Sequence, residues 1–144
     1  MKDTIKKSKF LSEGNIFFIP LVGESAQKTW YHKVIREECG EDLFSGKERE
    51  LSEVEIKQKN GKVFYGVVIR KKSNDIGSME LLMEKIKEFY NFIISSPEYE
   101  NKKVVIPKII SPSGGIKWGK IKKQIVELFK NNENCIIYGW FWFF

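Results

Sequence analysis

The apolar positions of this chain fall into blocks whose spacing alternates between that of a strand and that of a helix. Residues 14–23, GNIFFIPLVG, form an apolar run bounded by glycines, which is typical of a strand buried on both faces. The next block, QKTWYHKVIREECG, places its apolar residues on one side of a helix, with Thr29 as N-cap and Gly40 just past the end. The first part of the chain therefore predicts a strand followed by a helix.

The remaining blocks continue this alternation. LSEVEIKQKNGKVFYGVVIRKK alternates apolar and polar residues on both sides of Asn60 and Gly61, a pair that favours a tight hairpin turn. GSMELLMEKIKEFYNFI has apolar residues three and four apart, which predicts a helix with Ser78 as N-cap. KKVVIPKII then predicts a strand, KWGKIKKQIVELFKN a helix and NCIIYGWFWFF a last strand. The pattern predicts an α/β fold, a three-layer α/β/α sandwich around a mixed, mostly parallel sheet.

Length and charge limit the possibilities further. With 144 residues, 42% hydrophobic and 31% charged, the chain is expected to form a single folded domain. Residues 1–13 are expected to be a basic, flexible N-terminal segment. The net charge of +6 favours an anionic partner, which can be nucleic acid, a phosphate-bearing small molecule or a membrane surface.

The chemistry-bearing residues predict neither a metal site nor a cofactor. Cys39 and Cys135 lack the spacing of a zinc site or a disulfide framework, and His32 is the sole histidine, expected to be structural. No apolar run reaches the ~18 residues of a membrane span, and no secretory signal begins the chain. We therefore expect a cytoplasmic protein, with tethering through a segment outside these residues left open.

The stretch PKIISPSGGIKW, residues 107–118, carries the strongest functional signal. Two hydroxyls and two glycines separate a buried strand from the helix that begins near Trp118. In open α/β sheets, ligands bind beyond the carboxyl ends of strands, and the free N–H groups at a helix start favour phosphate oxygens. The loop therefore predicts a phosphate-bearing ligand, although a Gly-Gly pair before a helix is also typical of a simple tight turn.

This stretch resembles the macro domains, α/β modules that bind ADP-ribose. Ile106 to Ile109 are similar to the family's strand, Gly114 and Gly115 to its second glycine pair, and Ile116 and Trp118 to its helix entry. The resemblance covers about residues 62 to 140. It implies the macro-domain fold and a ligand of the ADP-ribose type, bound by the following residues: Gly23, Glu24, Ser25, Trp30, Tyr31, Arg70, Ser111, Ser113, Gly114, Gly115, Ile116, Tyr138 and Trp140.

The sequence also departs from the family pattern. In the small bacterial and phage subgroup that hydrolyses ADP-ribosyl esters, a lysine follows the strand and an aspartate lies in the late loop. Here Arg70, or Lys71, occupies the lysine position and Gly114 the aspartate position. Glu24 and Asp75 lie in loops that can approach the pocket, but nothing in the sequence aims them at it. We therefore expect binding without catalysis.

Several roles stay open at this stage. Arg70, with its neighbouring lysines, is either a solvated strand end or a clamp for a diphosphate, and Trp30 with Tyr31 either belongs to the core or covers the ligand. By family analogy, the protein is a sensor or scavenger of an ADP-ribose derivative made from NAD by immune TIR enzymes, which implies a role in antiphage defence. The alternatives are a weak ADP-ribosyl hydrolase and a nucleic-acid-binding domain that uses the lysines of the last helix: Lys117, Lys120, Lys122, Lys123 and Lys130.

The two ends of the chain suggest a partner. Residues 141–144, FWFF, end the last predicted strand, and residues 6–10, KKSKF, give the start of the chain a basic stretch. These aromatic residues either pack under a helix as part of the core or form an exposed patch, which is typical of an interface. We expect self-association, or contact with a fused or adjacent effector, through residues 141–144.

Overall fold

A computed structural model describes residues 2–4, 10–12, 14–109, 115–132 and 134–139. Its strands are β1 (Lys2–Thr4), β2 (Ile16–Val22), β3 (Val54–Lys59), β4 (Lys62–Arg70), β5 (Val104–Pro107) and β6 (Cys135–Gly139). Its α-helices are α1 (Trp30–Cys39), α2 (Met79–Ile94) and α3 (Trp118–Leu128), and a short 3-10 helix spans Pro97–Tyr99. The predicted elements are confirmed, and the part of the predicted last strand beyond Gly139 lies outside the described residues.

The six strands form one mixed sheet in the order β1-β6-β5-β2-β4-β3. All neighbouring strands are parallel except β3 and β4, which pair antiparallel through the predicted hairpin. Asn60 and Gly61 form its turn with φ angles of 53° and 76°, a left-handed backbone that these two residues tolerate best.

Strand β2 lies between β4 and β5 and is buried on both faces, as its apolar run predicts. Phe17, Ile19 and Leu21 point into a core that they share with α1. Ile16 and Phe18 point into the opposite core, which α2 and α3 cover. Because side chains alternate along a strand, one continuous apolar run supplies both cores. The three-layer α/β/α arrangement predicted from the pattern is therefore confirmed.

Two parts of the N-terminal segment, residues 2–4 and 10–12, are described in the structure. Lys2–Thr4 pairs parallel with β6 at the edge of the sheet. Phe10 and Leu11 are buried in the core beneath α1, where Phe10 contacts the ring of Phe17 at a centroid distance of 5.2 Å. These parts of the segment belong to the folded structure because pairing and burial over a long sequence separation hold them there.

The helix ends follow local sequence signals. Ser78 caps α2 by accepting a hydrogen bond from the Leu81 N–H (3.2 Å). Gly40 ends α1 in the left-handed conformation, with φ of 77°. Thr29 is the N-cap residue of α1, as predicted, but its side chain forms no capping hydrogen bond. No helix in the described ranges has the length and apolarity needed to cross a membrane.

Candidate functional site

The direction taken by the helices creates a crevice at the carboxyl end of β2. The chain leaves β2 toward the face covered by α1, whereas it leaves β4 and β5 toward the face covered by α2 and α3. The loop after β2 therefore diverges from the loops after its neighbours β4 and β5. In open α/β sheets this divergence opens the crevice in which ligands bind.

A cavity of about 190 Å³ occupies the β2–β4 side of this crevice. Its wall consists of the ends of the two strands, the loop after β2 and the first turn of α1; the residues concerned include Val22, Gln27, Thr29, Tyr31, Ile69, Arg70 and Ser73. Small-molecule sites commonly have volumes of about 300–1,000 Å³. The cavity is thus large enough for part of a nucleotide-sized ligand, and residues 110–114, which follow the neighbouring strand β5, lie outside the described structure.

Arg70 is the charged side chain that this cavity buries. It ends β4, and only 9% of its surface is exposed. Its Nη1 donates a hydrogen bond to the Ser73 carbonyl oxygen (3.1 Å), whereas its buried Nε–H finds no acceptor among the residues that the structure describes. A buried N–H without an acceptor is costly, so a ligand oxygen placed there would gain a charge-assisted hydrogen bond.

The first turn of α1 supplies the opposite wall. The Tyr31 hydroxyl donates to the Pro20 carbonyl oxygen (3.3 Å), and burial raises the pKa of Tyr31 to about 12, opposed by the Thr29 hydroxyl and the charge of Arg70. Thr29 Oγ1 is buried near this tyrosine but forms no hydrogen bond of normal geometry within the described part of the chain. Two polar groups of the cavity, Arg70 Nε and Thr29 Oγ1, are therefore left for a ligand.

His32 has the structural role expected from the sequence. It is buried, and its neutral ring donates the Nε2 hydrogen to the same Pro20 carbonyl oxygen (3.1 Å). Burial lowers the pKa of His32 to about 4, although the Pro20 carbonyl and Asp42 favour the protonated form. The ring therefore remains neutral at pH 7 and fixes α1 to β2.

Gln27 closes the loop after β2 through its side chain, a role that the sequence pattern does not predict. Its side chain accepts from the Val22 N–H (3.0 Å) and donates to the carbonyl oxygens of Val22 and Glu24 (2.9 Å each). Its own N–H donates to Ser45 Oγ (3.0 Å). The amide thus takes the hydrogen-bonding place of a further strand residue and holds the loop against the end of β2.

Arg49 is a second buried group that the sequence did not reveal. Its Nε donates to Glu55 Oε2 (2.7 Å), its Nη1 to the Phe44 carbonyl oxygen (2.6 Å), and its backbone N–H to the Gly23 carbonyl oxygen (2.9 Å). Burial disfavours the charge on Glu55, but hydrogen bonds from Arg49 and Lys57 outweigh it and lower the pKa of Glu55 to about 2. The ion pair fixes Arg49, whose backbone N–H in turn holds Gly23 in the loop after β2.

The carboxylates that can approach the site are already bonded to its loops. Glu24 Oε1 accepts from the Ser73 N–H (2.6 Å), a bond that lowers the pKa of Glu24. Asp75 Oδ2 accepts from the Lys72 N–H (2.9 Å). Lys71, predicted beside Arg70 as a possible clamp, pairs with Glu50 on the surface (2.9 Å). Neither carboxylate lines the cavity beside Arg70: Glu24 joins the loop after β2 to the loop after β4, and Asp75 stabilises the loop that contains it.

The predicted loop glycines serve close packing. A Cβ on Gly23 would lie 2.7 Å from the carbonyl oxygens of Arg49 and Lys71. A Cβ on Gly115 would meet the Ile76 side chain and lie 2.6 Å from the Gly77 carbonyl oxygen. Ile116 is buried against Gly77. A bulky residue at position 115 would therefore displace the loop after β4 as well as any ligand.

The other predicted site residues divide into two groups. Ser25 is exposed, with its carbonyl oxygen bonded to the Gly46 N–H (2.8 Å), and Trp30 packs against the rings of Phe10 and Tyr31 at 5.1 and 5.4 Å, as a core residue does. The backbone of Tyr138 pairs with Pro107. The rest lie outside the described residues: Ser111, Ser113, Gly114 and Trp140.

The lysines of the last helix and the acidic residues give no second site. Lys117, Lys120 and Lys123 are exposed, and Lys130 pairs with Glu127 (2.9 Å), as on an ordinary solvated surface. Within the ranges that the structure covers, no three His, Cys, Asp or Glu side chains converge in a way that could hold a metal ion.

Comparison with known proteins shows similarity in structure alone. No protein-family model matches the chain, and neither does any curated protein sequence. Among solved structures, the chain is similar to the macrodomain of Mycobacterium tuberculosis DarG, with a TM-score of 0.73 at 10% identity over 96% of this chain and 97% of that one. The macrodomain of Thermus aquaticus DarG gives a TM-score of 0.67 at 12% identity, over 96% and 98% of the two chains.

A third similar structure was solved with a ligand. It is Thermosipho africanus DarTG in complex with ADP-ribose, with a TM-score of 0.59 at 11% identity. The match covers 90% of the present chain and 39% of that protein. At such low identities the agreement concerns the path of the backbone.

Proposed function

Because the chain has the macrodomain fold, we propose that it binds ADP-ribose or a NAD-derived ADP-ribose derivative at the carboxyl end of its sheet. The observation that carries the proposal is the buried Arg70 guanidinium, which lines the cavity in the β2–β4 crevice. Its Nε–H donates no hydrogen bond to any residue that the structure describes. A solved protein of which 39% matches this fold was obtained in complex with ADP-ribose, which supports the choice of ligand. The resemblance inferred from residues 106–118 agrees with this fold.

In the proposed complex, Arg70 contacts the diphosphate. A guanidinium is planar and offers paired N–H donors, which match phosphate oxygens better than an ammonium does. Thr29 and Tyr31, at the start of α1, also line the cavity, and the helix dipole favours an anion there. We also propose that ligand contacts come from the loop between β5 and α3 and from the end of β6, through Ser111, Ser113, Gly114, Gly115, Ile116, Tyr138 and Trp140.

We propose binding without hydrolysis. Catalysis at the anomeric carbon requires a group that activates water or attacks directly. Glu24 accepts a backbone hydrogen bond from Ser73 in the loop after β4, Asp75 accepts one from Lys72 in its own loop, and position 114 is a glycine. A receptor of this kind suits a sensor or scavenger of a signal made by TIR enzymes, a role that rests on family analogy.

Titration calorimetry with ADP-ribose tests the proposal. The wild-type chain is compared with Arg70→Lys and Arg70→Gln, and with Arg36→Gln as the matched control, since Arg36 is an exposed arginine that pairs with Asp42. We expect Arg70→Gln to weaken binding by about tenfold or more and Arg70→Lys by less, because lysine keeps the charge but loses the paired donors. Arg36→Gln should bind like the wild type.

Two further arms separate the alternatives. Binding of single-stranded RNA that falls steeply with salt, without binding of ADP-ribose, would favour a nucleic-acid-binding domain. Release of ADP-ribose from an ADP-ribosylated protein at ordinary enzyme rates would show hydrolysis instead. If wild-type protein binds no ADP-ribose derivative, or if the Arg70 variants bind it unchanged, the proposed site is wrong.

A further inference from the structure

A larger cleft lies at the amino end of the sheet, opposite the candidate nucleotide site. Its volume is about 640 Å³, within the range of about 300–1,000 Å³ of ligand sites. It lies between the last turn of α2, the short 3-10 helix and the turn after α3. The turn after α3 is joined to the start of β5, since the Val104 N–H donates to the Asn134 carbonyl oxygen (3.1 Å).

Some polar side chains of this cleft bond to the protein and others do not: Ser96 Oγ donates to the Phe92 carbonyl oxygen (2.8 Å), and Asn132 Oδ1 accepts from the Asn134 N–H (2.9 Å). The hydroxyls of Tyr90 and Tyr99 and the amides of Asn101 and Asn131 line the cleft. Within the residues described, these four groups form no hydrogen bond. Phenol hydroxyls and side-chain amides each both donate and accept, so a ligand that does the same can use all of them.

The two tyrosine rings are held in place by the core. Tyr90 packs edge to face on Phe129, with ring centroids 5.0 Å apart and an interplanar angle of 84°. Tyr99 packs on Phe92 at 5.3 Å. Both tyrosines remain half-buried, so part of each ring faces the cleft. Fixed rings of this kind offer an apolar surface at little cost in conformational entropy.

The electrostatics of the cleft disfavour an anion. Helices α2 and α3 both end here, and a helix C-terminus carries a partial negative charge. Glu100, on the rim, is the charged side chain among the lining residues that the structure gives. A phosphate-bearing ligand, favoured at the other end of the sheet, is therefore unsuited to this one.

We propose that this cleft is a second binding site and that its ligand is an uncharged carbohydrate. A sugar has hydroxyls that donate and accept, which match the amides and phenols. It also has apolar ring faces that pack on tyrosine rings. The proposal does not depend on the proposed nucleotide function, because it uses none of the same residues.

Binding of the full chain to an array of neutral oligosaccharides tests the proposal, followed by titration calorimetry of the strongest glycan. Asn131→Ala and Tyr99→Phe each remove one polar group from the cleft, and Asn91→Ala removes an exposed amide of α2 outside it. Asn101 is left unchanged because its φ of 63° would strain an alanine. We expect each cleft variant to weaken glycan binding about fivefold and Asn91→Ala and Arg70→Lys to leave it unchanged.

Three results would overturn the proposal. The first is a wild-type chain that binds no glycan on the array. The second is glycan binding that Asn131→Ala and Tyr99→Phe leave unaltered, which would place the glycan elsewhere. The third is selective capture of a trimethyl-lysine peptide printed on the same array, which would show that the tyrosines and Glu100 bind a cation.

Discussion

The carboxyl and amino ends of the sheet differ in what their polar side chains bond to. At the carboxyl end Gln27, His32 and Arg49 are buried, and their hydrogen bonds go to the protein's own backbone and to Glu55. At the amino end the amide of Asn131 and the hydroxyl of Tyr99 face a cleft without protein partners in the described structure. The comparison shows that polar residues around a cavity indicate ligand binding only where the fold has not already used them.

This distinction also identifies the exception at the carboxyl end. Arg70 is also buried, with 9% of its surface exposed, yet its Nε–H has no acceptor among described residues. The cavity there is less than a third of the volume of the amino-end cleft, at about 190 Å³ against about 640 Å³. The smaller cavity thus offers a charged group, the Arg70 guanidinium, to a ligand, whereas the larger cleft offers mainly uncharged amides and phenols.

The largest expected difference in the free energy of unfolding is between variants of two side-chain amides, Gln27 at the carboxyl end of the sheet and Asn131 at the amino end. Gln27→Ala leaves the Val22 N–H and carbonyl without partners, which should lower the free energy of unfolding by about 3 kcal/mol. Asn131→Ala removes an exposed amide without protein partners and should change it by less than about 0.5 kcal/mol. Urea unfolding of the two variants measures both values, and similar losses would contradict the comparison.

A smaller loss of stability is expected when the pH falls. It arises at the carboxyl end of the sheet, where the chain's only histidine, His32, is buried. Its pKa is about 4 in the folded protein against an ordinary 6.5, so only the unfolded state takes up a proton between these values. Stability is therefore present above pH 6.5 and is lost as the pH falls toward 4. The fall from pH 7 to pH 5 should cost about 2 kcal/mol.

Urea unfolding at both pH values checks this, with His32→Gln as the second protein. Glutamine can donate to the Pro20 carbonyl oxygen but does not titrate, so this variant should lose little stability over the same interval. The depressed carboxylate pKa values of Glu55 and Glu24 act below this interval. An equal loss in both proteins would show that another group is responsible.

The smallest expected effect separates used from unused hydroxyls at the carboxyl end itself. Ser78→Ala removes a capping hydrogen bond from α2 and should cost about 1 kcal/mol. Thr29 has the same position on α1 without such a bond, so Thr29→Ala should change stability by less than about 0.5 kcal/mol. Thermal unfolding compares the two. A Thr29→Ala loss as large as that of Ser78→Ala would mean that Thr29 stabilises α1 and is not free for a ligand.

The features predicted from sequence were those fixed by local patterns. The β3–β4 hairpin follows from Asn60 and Gly61, which accept the left-handed backbone of the turn. The double burial of β2 follows from its unbroken apolar run, and the cap of α2 follows from Ser78 at its start. The macro-domain resemblance of residues 62 to 140 likewise gave the fold that the structural comparison shows.

The features missed depend on contacts between distant residues. Arg49 and Gln27 lie in polar stretches that normally belong to the surface, and only the folded chain brings them to Glu55 and Val22. The bond from the Ser73 N–H to the Glu24 carboxylate joins residues 49 positions apart, and no local pattern predicts it. The three-residue strand β1 is too short to produce a pattern and exists through its pairing with β6.

The mixed pairing of the sheet also leads us to expect an order in which the strands pair during folding. The β3–β4 hairpin closes through a two-residue turn, whereas β2 must pair Ile16 with both Val63 and Val104, far along the chain. Closing long loops costs more entropy, so we expect the hairpin to form first and to offer the edge on which β2 docks. Gly61→Ala, which strains the turn by about 1 kcal/mol, should then slow refolding in stopped-flow measurements and leave the unfolding rate nearly unchanged.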